Sequence, residues 1–212
     1  MTGIEIIAII LILMFSVIIH ETAHGWAAYS LGDPTAKLAG RLTLNPIAHL
    51  DPIGSVLLPL FLVFLSKITG GAAIIFGWAK PVPVNPYNFK DKKYGELKVS
   101  IAGPLSNIVL AIIFGILVRY GASFLNDQAL FLAAYVVWIN LILAVFNLMP
   151  IPPLDGSHIL FAFLPSSANK IKFVLSQYGM MFILILIFFF SPVIFYIVRF
   201  LFQIITGTGF NL

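Results

Sequence analysis

Residues 4–29 read IEIIAIILILMFSVIIHETAHGWAAY, and this stretch decides the fold class. About 20 apolar residues in a helix cross the hydrocarbon core of a bilayer, so the stretch is long enough for one membrane span. Ionisable side chains are costly inside such a helix and are by default candidates for function. His20, Glu21 and His24 lie within five positions near its end. The sequence therefore predicts a membrane helix that carries a polar site.

The composition of the whole chain indicates a protein whose solvent is mostly lipid. Of its 212 residues, 60% are hydrophobic and 9% are charged, whereas soluble domains carry about 25% charged residues. This excludes a water-soluble enzyme, a disordered linker and a nucleic-acid-binding domain. The chain has no cysteine, so neither a disulfide nor a thiolate metal ligand can form.

Further apolar runs predict an all-α polytopic membrane protein with about five to six transmembrane helices. Residues 99–118 and 129–149 each predict one span. Residues 53–79 are interrupted by polar and glycine positions and predict one crossing plus a partial return. Residues 173–206 are too long for one straight span, and Pro192 predicts a break that gives one kinked span or two short ones. The first helix lacks a basic leader and a small-residue cleavage site, so we expect it to be retained.

Residues 36–52, after the first helix, predict a short strand or hairpin associated with the membrane. Apolar and glycine positions at 38, 40, 42 and 44 alternate with positions 37, 39, 41 and 43. A period of two residues is typical of a strand rather than a helix.

The positive charges predict the orientation of the protein in the membrane. If the end of the first helix is cytoplasmic, segments 31–53, 80–98 and 165–172 are cytoplasmic as well, and they hold nine of the twelve Lys and Arg residues. Cytoplasmic loops carry such an excess. We therefore expect an outside N-terminus and an active site toward the cytoplasmic side of a prokaryotic cell membrane.

The sequence HETAH at residues 20–24 predicts a metal site. His20 and His24 are four residues apart, so both imidazoles lie on one helix face and can reach one metal ion. Glu21 lies about 100° round the helix. In the pattern H-E-x-x-H, the two histidines bind zinc and the glutamate acts as a general base. The structural alternative is a solvated helix end with satisfied polar groups.

A catalytic zinc needs a third protein ligand and an open position for water. The remaining candidate side chains are Asp33, His49, Asp51, Asp155 and His158. Asp155 is favoured because it follows a long apolar span in a proline-broken segment, with Gly156 beside it for backbone freedom. The predicted topology also brings Asp155 to the membrane depth of the histidines. His158 stays an alternative ligand, and His49 is expected to be structural.

The two motifs together resemble the signature of a known family. HETAH at residues 20–24 and NLMPIPPLDG at residues 147–156 match H-E-x-x-H and N-x-x-P-x-P-x-x-D-G of the site-2 proteases, which are intramembrane zinc metalloproteases. AGPLSN at residues 102–107 is similar to the family's A-G-P-x-x-N helix start. The resemblance extends from residue 1 to about residue 160, and the last span is generic.

The resemblance implies one Zn²⁺ per chain with three protein ligands, His20, His24 and Asp155. It implies that Glu21 is the general base and that Asn147 orients the peptide or stabilises the oxyanion. A helix cap is the structural alternative for Asn147. Asn107 and Asn140 are predicted to be polar contacts between helices rather than catalytic groups.

The resemblance further implies an intramembrane zinc endopeptidase that cuts in or near a transmembrane segment of a membrane-anchored substrate, as in regulated intramembrane proteolysis. We expect one membrane-embedded domain over residues 1–212, with its catalytic core at about 1–160 and no PDZ or CBS domain. The expected partners are a transmembrane protein substrate and the lipid bilayer, with no nucleic acid. The oligomeric state and the substrate are not predicted.

Two alternatives to this function stay open at the level of sequence. One is a zinc-binding membrane transporter or channel that uses the same ligands without hydrolysis, and the other is an inactive relative that only binds membrane proteins. For the protease, a helical substrate must unwind locally, because a helix hides its peptide carbonyls in hydrogen bonds. The predicted strand at residues 36–45 would either hold the unwound segment by strand addition or only cover the site.

Overall fold

The computed structural model describes residues 3–57, 61, 64, 65, 68 and 80–210. Seven α-helices have both ends among these residues: α1 (Gly3–Ser30), α2 (Thr35–Leu38), α3 (Pro46–His49), α4 (Gly95–Tyr120), α5 (Asp127–Asn147), α6 (Asp155–Phe163) and α7 (Asn169–Thr206). A π-helical turn at Pro52–Leu57 and short 3₁₀ turns lie between them. The part of the chain that the structure describes contains no strand.

Four of the helices, α1, α4, α5 and α7, are long and apolar enough to cross a membrane. They correspond to the predicted spans, and they confirm an all-α polytopic architecture in this coarser form. The expectation of five to six spans is not confirmed. The crossing and partial return predicted at residues 53–79 lie mostly outside the described residues.

Of the two alternatives predicted for the C-terminal run, the structure has a single helix, α7, rather than two short ones. It is continuous over 38 residues and keeps Pro192 inside it. At 1.5 Å per residue it is roughly 57 Å long, which exceeds a bilayer core of about 30 Å. Proline is tolerated in membrane helices because neighbouring groups can compensate for the lost backbone bond. The helix ends at Gly207, whose φ of 76° is left-handed.

The strand or hairpin predicted at residues 36–52 is wrong for this structure. The segment forms α2 and α3 instead, joined by a turn. Helix α2 ends in a Schellman motif: Gly40 has φ 66°, and the N–H groups of Gly40 and Arg41 donate to Lys37 O and Ala36 O. The alternation of apolar residues is too short to specify a strand. Gly40 also favours a helix end, because a glycine at the C′ position adopts the left-handed conformation easily.

Helix α4 lies at the centre of the packing. It packs most extensively against α5 and α1 and also contacts α6 and α7, and α7 packs on α5 as well. The main buried apolar cluster joins α4, α5 and α7: Ala111, Val137, Leu141, Leu186, Ile194, Val198 and Phe202. Trp138 stacks on Phe210 with ring centroids 4.2 Å apart. This packing fixes α4 beside the histidines of α1.

Segment 80–94 crosses the end of α1 before α4 begins. Lys90 N–H donates to Leu31 O at 2.8 Å, and Asn85 N–H donates to the Asp33 carboxylate at 2.7 Å. Thus the last turn of α1 and the start of α4 lie at the same end of the bundle. The end of α5 and the start of α6 also contribute to the cavity at this end.

Candidate metal centre

Three side chains from α1 and α6 converge on one point. Asp155 Oδ2 lies 3.1 Å from His20 Nε2, and Asp155 Oδ1 lies 3.3 Å from His24 Nε2. The two Nε2 atoms are 3.1 Å apart. One ligand atom from each residue lies within 4.8 Å of the others. The structure therefore brings together the three residues that the sequence proposed as ligands.

The hydrogen bonds on the far side of each imidazole determine what faces this point. His24 Nδ1 lies 2.7 Å from Val99 O, which can only accept, so Nδ1 carries the proton. His20 Nδ1 lies 2.6 Å from Asn107 Oδ1 and donates in the same way. A neutral imidazole protonated at Nδ1 has a lone pair at Nε2. Both histidines therefore point lone pairs at each other and at the carboxylate.

This arrangement fits a divalent cation. Three groups of lone pairs within 3.1–3.3 Å repel one another unless a positive charge lies between them. Asp155 Oδ2 is buried and has no hydrogen-bond donor. Ligands about 2.05 Å from a tetrahedral zinc are about 3.3 Å apart, which is close to the spacing seen here. Histidine nitrogens with a carboxylate oxygen are also a donor set that zinc accepts.

Gly103 of α4 leaves the space for the ion. A Cβ atom at this position would lie 2.4 Å from His24 Nε2 and 2.6 Å from His20 Nε2. No real Cβ atom approaches a nitrogen so closely, so any side chain at 103 would occupy the ligand point. Gly103 therefore borders the candidate metal centre, although it supplies no ligand.

Gly156 positions Asp155 by close backbone approach. A Cβ at 156 would lie 2.2 Å from Leu148 O and 2.5 Å from Met149 O. Among the described residues, the glycines with positive φ are Gly32, Gly40 and Gly207, so the backbone freedom expected at Gly156 is not what its position uses. The first turn of α6 instead packs directly on the backbone that follows α5, and this holds the aspartate in place.

Glu21 and Asn147 line one cavity of about 400 Å³ together with the three converging side chains. Glu21 Oε2 accepts a hydrogen bond of 2.9 Å from the backbone N–H of Val82. Asn147 Nδ2 donates to Leu143 O at 2.9 Å, and its second amide hydrogen is available to another acceptor. The bond to Leu143 lies within α5, so Asn147 is not capping the helix with this group.

The other sequence candidates lie elsewhere or play other parts. Asp33 is fully buried in a loop contact, and His49 is buried with Nε2 bonded to Thr43 O at 2.8 Å. Asp51 Oδ1 accepts from the N–H groups of the following turn. His158 lines the cavity, but its ring is half exposed and lies 3.9 Å from Glu96. None of these four belongs to the converging group of described residues.

Sequence reasoning missed the residues that orient the histidines. Val99 contributes only a backbone carbonyl, so no side-chain pattern could reveal it. Asn107 makes the polar contacts between helices that were predicted for it, to Ser16 and Asn140, and in addition it contacts His20, a proposed ligand. The motif at residues 102–107 contains both Gly103 and Asn107. The sequence shows this motif but does not show that it lies beside HETAH in the fold.

Spanning helices with a buried site of two histidines, an aspartate and a neighbouring glutamate define a membrane zinc metalloprotease. The model of peptidase family M50 matches residues 8–130 and 117–190. The chain belongs to this family, that of the site-2 proteases. No solved structure matches the chain significantly.

Relatives from bacteria and archaea agree with this membership. The chain is 41% identical over 191 residues to "Putative zinc metalloprotease YwhC" of Bacillus subtilis, covering 87% of this chain and 80% of that protein. It is 29% identical over 178 residues to "Putative zinc metalloprotease Rip2" of Mycolicibacterium smegmatis, covering 82% and 64%. It is 28% identical over 166 residues to "Zinc metalloprotease MJ0392" of Methanocaldococcus jannaschii, covering 78% and 37%. The family and zinc predictions are confirmed.

Proposed function

We propose that residues 1–212 form one membrane-embedded zinc endopeptidase that hydrolyses a peptide bond in or near a transmembrane segment of a membrane-anchored substrate. The convergence of two imidazole lone pairs and an unpartnered carboxylate oxygen carries this proposal. His20, His24 and Asp155 are the proposed ligands. The site lies in a helix that is apolar and long enough to span a membrane, which favours a substrate that is itself in the membrane.

The residues around the site supply the parts that peptide hydrolysis needs. When bound, zinc would activate a water molecule and polarise the scissile carbonyl. Glu21 lines the cavity and would take the proton of the attacking water on its carboxylate and pass it to the leaving amine. The free amide hydrogen of Asn147 would donate to the oxyanion.

The cavity suits an unwound segment better than an intact helix. It has a volume of about 400 Å³, which corresponds to a space roughly 7 Å across. A helix with its side chains is about 10–12 Å across and would not fit. One wall is made by segment 81–84, which has no regular secondary structure, and by Pro86. A substrate helix would therefore have to open locally before its carbonyl reached the ligand point.

The orientation of the site in the membrane is part of the proposal. The cavity lies at the end of the bundle that carries segment 80–98, which holds five lysines. The positive-inside rule places such a segment in the cytoplasm. We propose that the active site opens toward the cytoplasm of a prokaryotic cell.

Glu21→Gln is the test that separates a protease from a transporter or a zinc-binding relative. The amide keeps the shape of the side chain but cannot take a proton, so we expect zinc content to stay near wild type and cleavage of a membrane-tethered reporter to cease. Zinc is measured by metal analysis of detergent-purified protein, and cleavage by gel. Zinc transport into vesicles with no cleavage by the wild type would establish the transporter instead.

Asp155→Ala and His158→Ala compare the two candidates for the third ligand. Asp155→Ala removes a carboxylate from the converging group, so we expect it to lose bound zinc. His158→Ala removes a half-exposed ring at the cavity wall and should keep the metal. Retention of zinc in the first variant with loss in the second would overturn the ligand set.

A further inference from the structure

We propose that Asn140, which touches neither a proposed ligand nor the cavity, is a positioning residue that sets the direction of a buried amide relay and thereby the tautomer of His20. The relay runs from Val136 O through Asn140 and Asn107 to His20. The inference rests on the proposed function, because it takes His20 as a metal ligand.

The first contact of the relay is between Asn107 and His20. Asn107 Oδ1 lies 2.6 Å from His20 Nδ1. A carbonyl oxygen here makes Nδ1 the donor and leaves the Nε2 lone pair for a metal. If the amide were turned over, its NH₂ group would face His20 Nδ1, and the imidazole proton would move to Nε2. The direction of the Asn107 amide therefore decides whether His20 can bind.

The second contact fixes the direction of Asn107. Asn107 Nδ2 donates to Asn140 Oδ1 at 2.8 Å and lies 3.4 Å from Ser16 O. Both partners are carbonyl oxygens and can only accept. Turning Asn107 over would place its own oxygen against two acceptors.

The third contact fixes the direction of Asn140. Its Nδ2 donates to Val136 O at 2.8 Å and to Ser16 Oγ at 2.9 Å. The serine hydroxyl can either donate or accept, so it is compatible with both orientations of the Asn140 amide. The backbone carbonyl of Val136 cannot change, and it anchors the relay.

Burial makes the relay strict. Asn107 and Asn140 have no exposed surface, and Ser16 is 3% exposed. One reversed amide would therefore leave like groups facing each other away from solvent. Three spanning helices, α1, α4 and α5, contribute to the relay.

Asn140→Leu, Asn140→Asp and Ser16→Ala test the proposal. Leucine removes the acceptor that orients Asn107, so we expect zinc to bind about 10-fold more weakly, the lower end of the cost of losing a group bonded to a ligand, because Asn140 acts through Asn107. Aspartic acid keeps an oxygen toward Asn107 and, when protonated, a donor toward Val136 O, so we expect affinity within about threefold of wild type. Ser16→Ala leaves both amides oriented and is the matched control for a buried polar loss.

The readouts are the zinc dissociation constant, by competition with a chromogenic chelator, and the thermal midpoint of the zinc-free protein in the same detergent. A merely structural role would lower the midpoint in both Asn140→Leu and Ser16→Ala and weaken zinc equally. That equal loss would overturn the proposal, as would an Asn140→Asp variant as weak as leucine. If Asn140→Leu does not fold, Asn140→Ala, which also removes the acceptor that orients Asn107, takes its place in the comparison with Asn140→Asp. Absence of zinc from the wild type would instead overturn the proposed function.

Discussion

At the scale of single residues, Gly103 leaves room for an ion at the candidate metal centre because it has no side chain. Its position on α4 faces the Nε2 atoms of His20 and His24 at distances that only a hydrogen atom allows. The same helix contains Gly115, where a Cβ would meet Cγ2 of Ile205 at 2.1 Å. A methyl group there would displace only an apolar contact with α7, whereas at position 103 it would meet imidazoles that are held by hydrogen bonds at Nδ1.

This contrast predicts that Gly103→Ala weakens zinc binding by about 100-fold, the upper end of the range for supporting contacts, because the methyl group occupies the ligand point. Gly115→Ala on the same helix should keep zinc affinity within about threefold, since it disturbs only packing. Zinc competition titration of both purified variants measures the difference. Equal affinities would show that the ligand point has more room than the structure indicates.

At the scale of elements, a buried carboxylate ties the end of α1 to segment 80–94. Asp33 is fully buried and accepts hydrogen bonds from Thr35, from Asn88 and from the backbone N–H of Asn85. Burial by itself raises the pKa of Asp33, but the hydrogen bonds from Asn85, Thr35 and Asn88 outweigh it and lower the pKa below its ordinary value. The contact holds one cavity wall against α1.

We predict that Asp33→Asn lowers the thermal midpoint at neutral pH, because its amide group faces donors and loses about 1–3 kcal/mol of charged hydrogen bonding. A depressed pKa means that the wild-type contribution is complete above the ordinary pKa of about 3.9 and is lost as pH falls through the folded value. The difference in thermal midpoint between Asp33→Asn and wild type should therefore become smaller below about pH 4.

Asp91→Asn is the control for this prediction. Asp91 pairs with Lys98 at 2.7 Å on the exposed surface, and exposed ion pairs contribute about 0–1 kcal/mol. Thermal unfolding in detergent, measured from neutral pH to below about pH 4, compares each of the two variants with wild type. A gap that stays constant with pH would show that Asp33 acts through packing rather than charge.

At the scale of the whole molecule, the bundle gathers its chemistry at one end. The last turns of α1, the first turns of α4 and the start of α6 all contribute side chains or carbonyls to the metal centre. The opposite end of α4 leads through Gly121–Ser123 into α5. The two ends of α4 should therefore lie on opposite sides of the membrane.

The absence of native cysteine makes this topology directly testable. We predict that Lys93→Cys, before α4, reacts with a membrane-impermeant maleimide only after the cells are permeabilised, because we propose that the positive segment 80–98 is cytoplasmic. Ala122→Cys, after α4, should react in intact cells. Both positions are exposed, so each serves as the accessibility control for the other. The opposite labelling pattern would invert the proposed orientation.

The sequence alone was sufficient where the signal is local. Apolar runs of about 20 residues predicted the four described spans because lipid leaves a helix as the way to satisfy the backbone. The four-residue spacing of His20 and His24 predicted a shared helix face for the same local reason. The strand predicted from the weak alternation at residues 36–45 was wrong. A two-residue pattern without a partner strand cannot outweigh the helix end at Gly40.

Tertiary structure alone decided what the motifs do to one another. Asp155 meets His20 and His24 although more than 130 residues separate them in the chain. The sequence did not decide between Asp155 and His158 as the third ligand. The parts of Gly103, Asn107 and Val99 were invisible because each acts through a contact between helices. Local physics therefore determines that this chain forms membrane helices with a candidate zinc motif, and the packing of α4 against α1 determines where lone pairs point and where space remains for an ion.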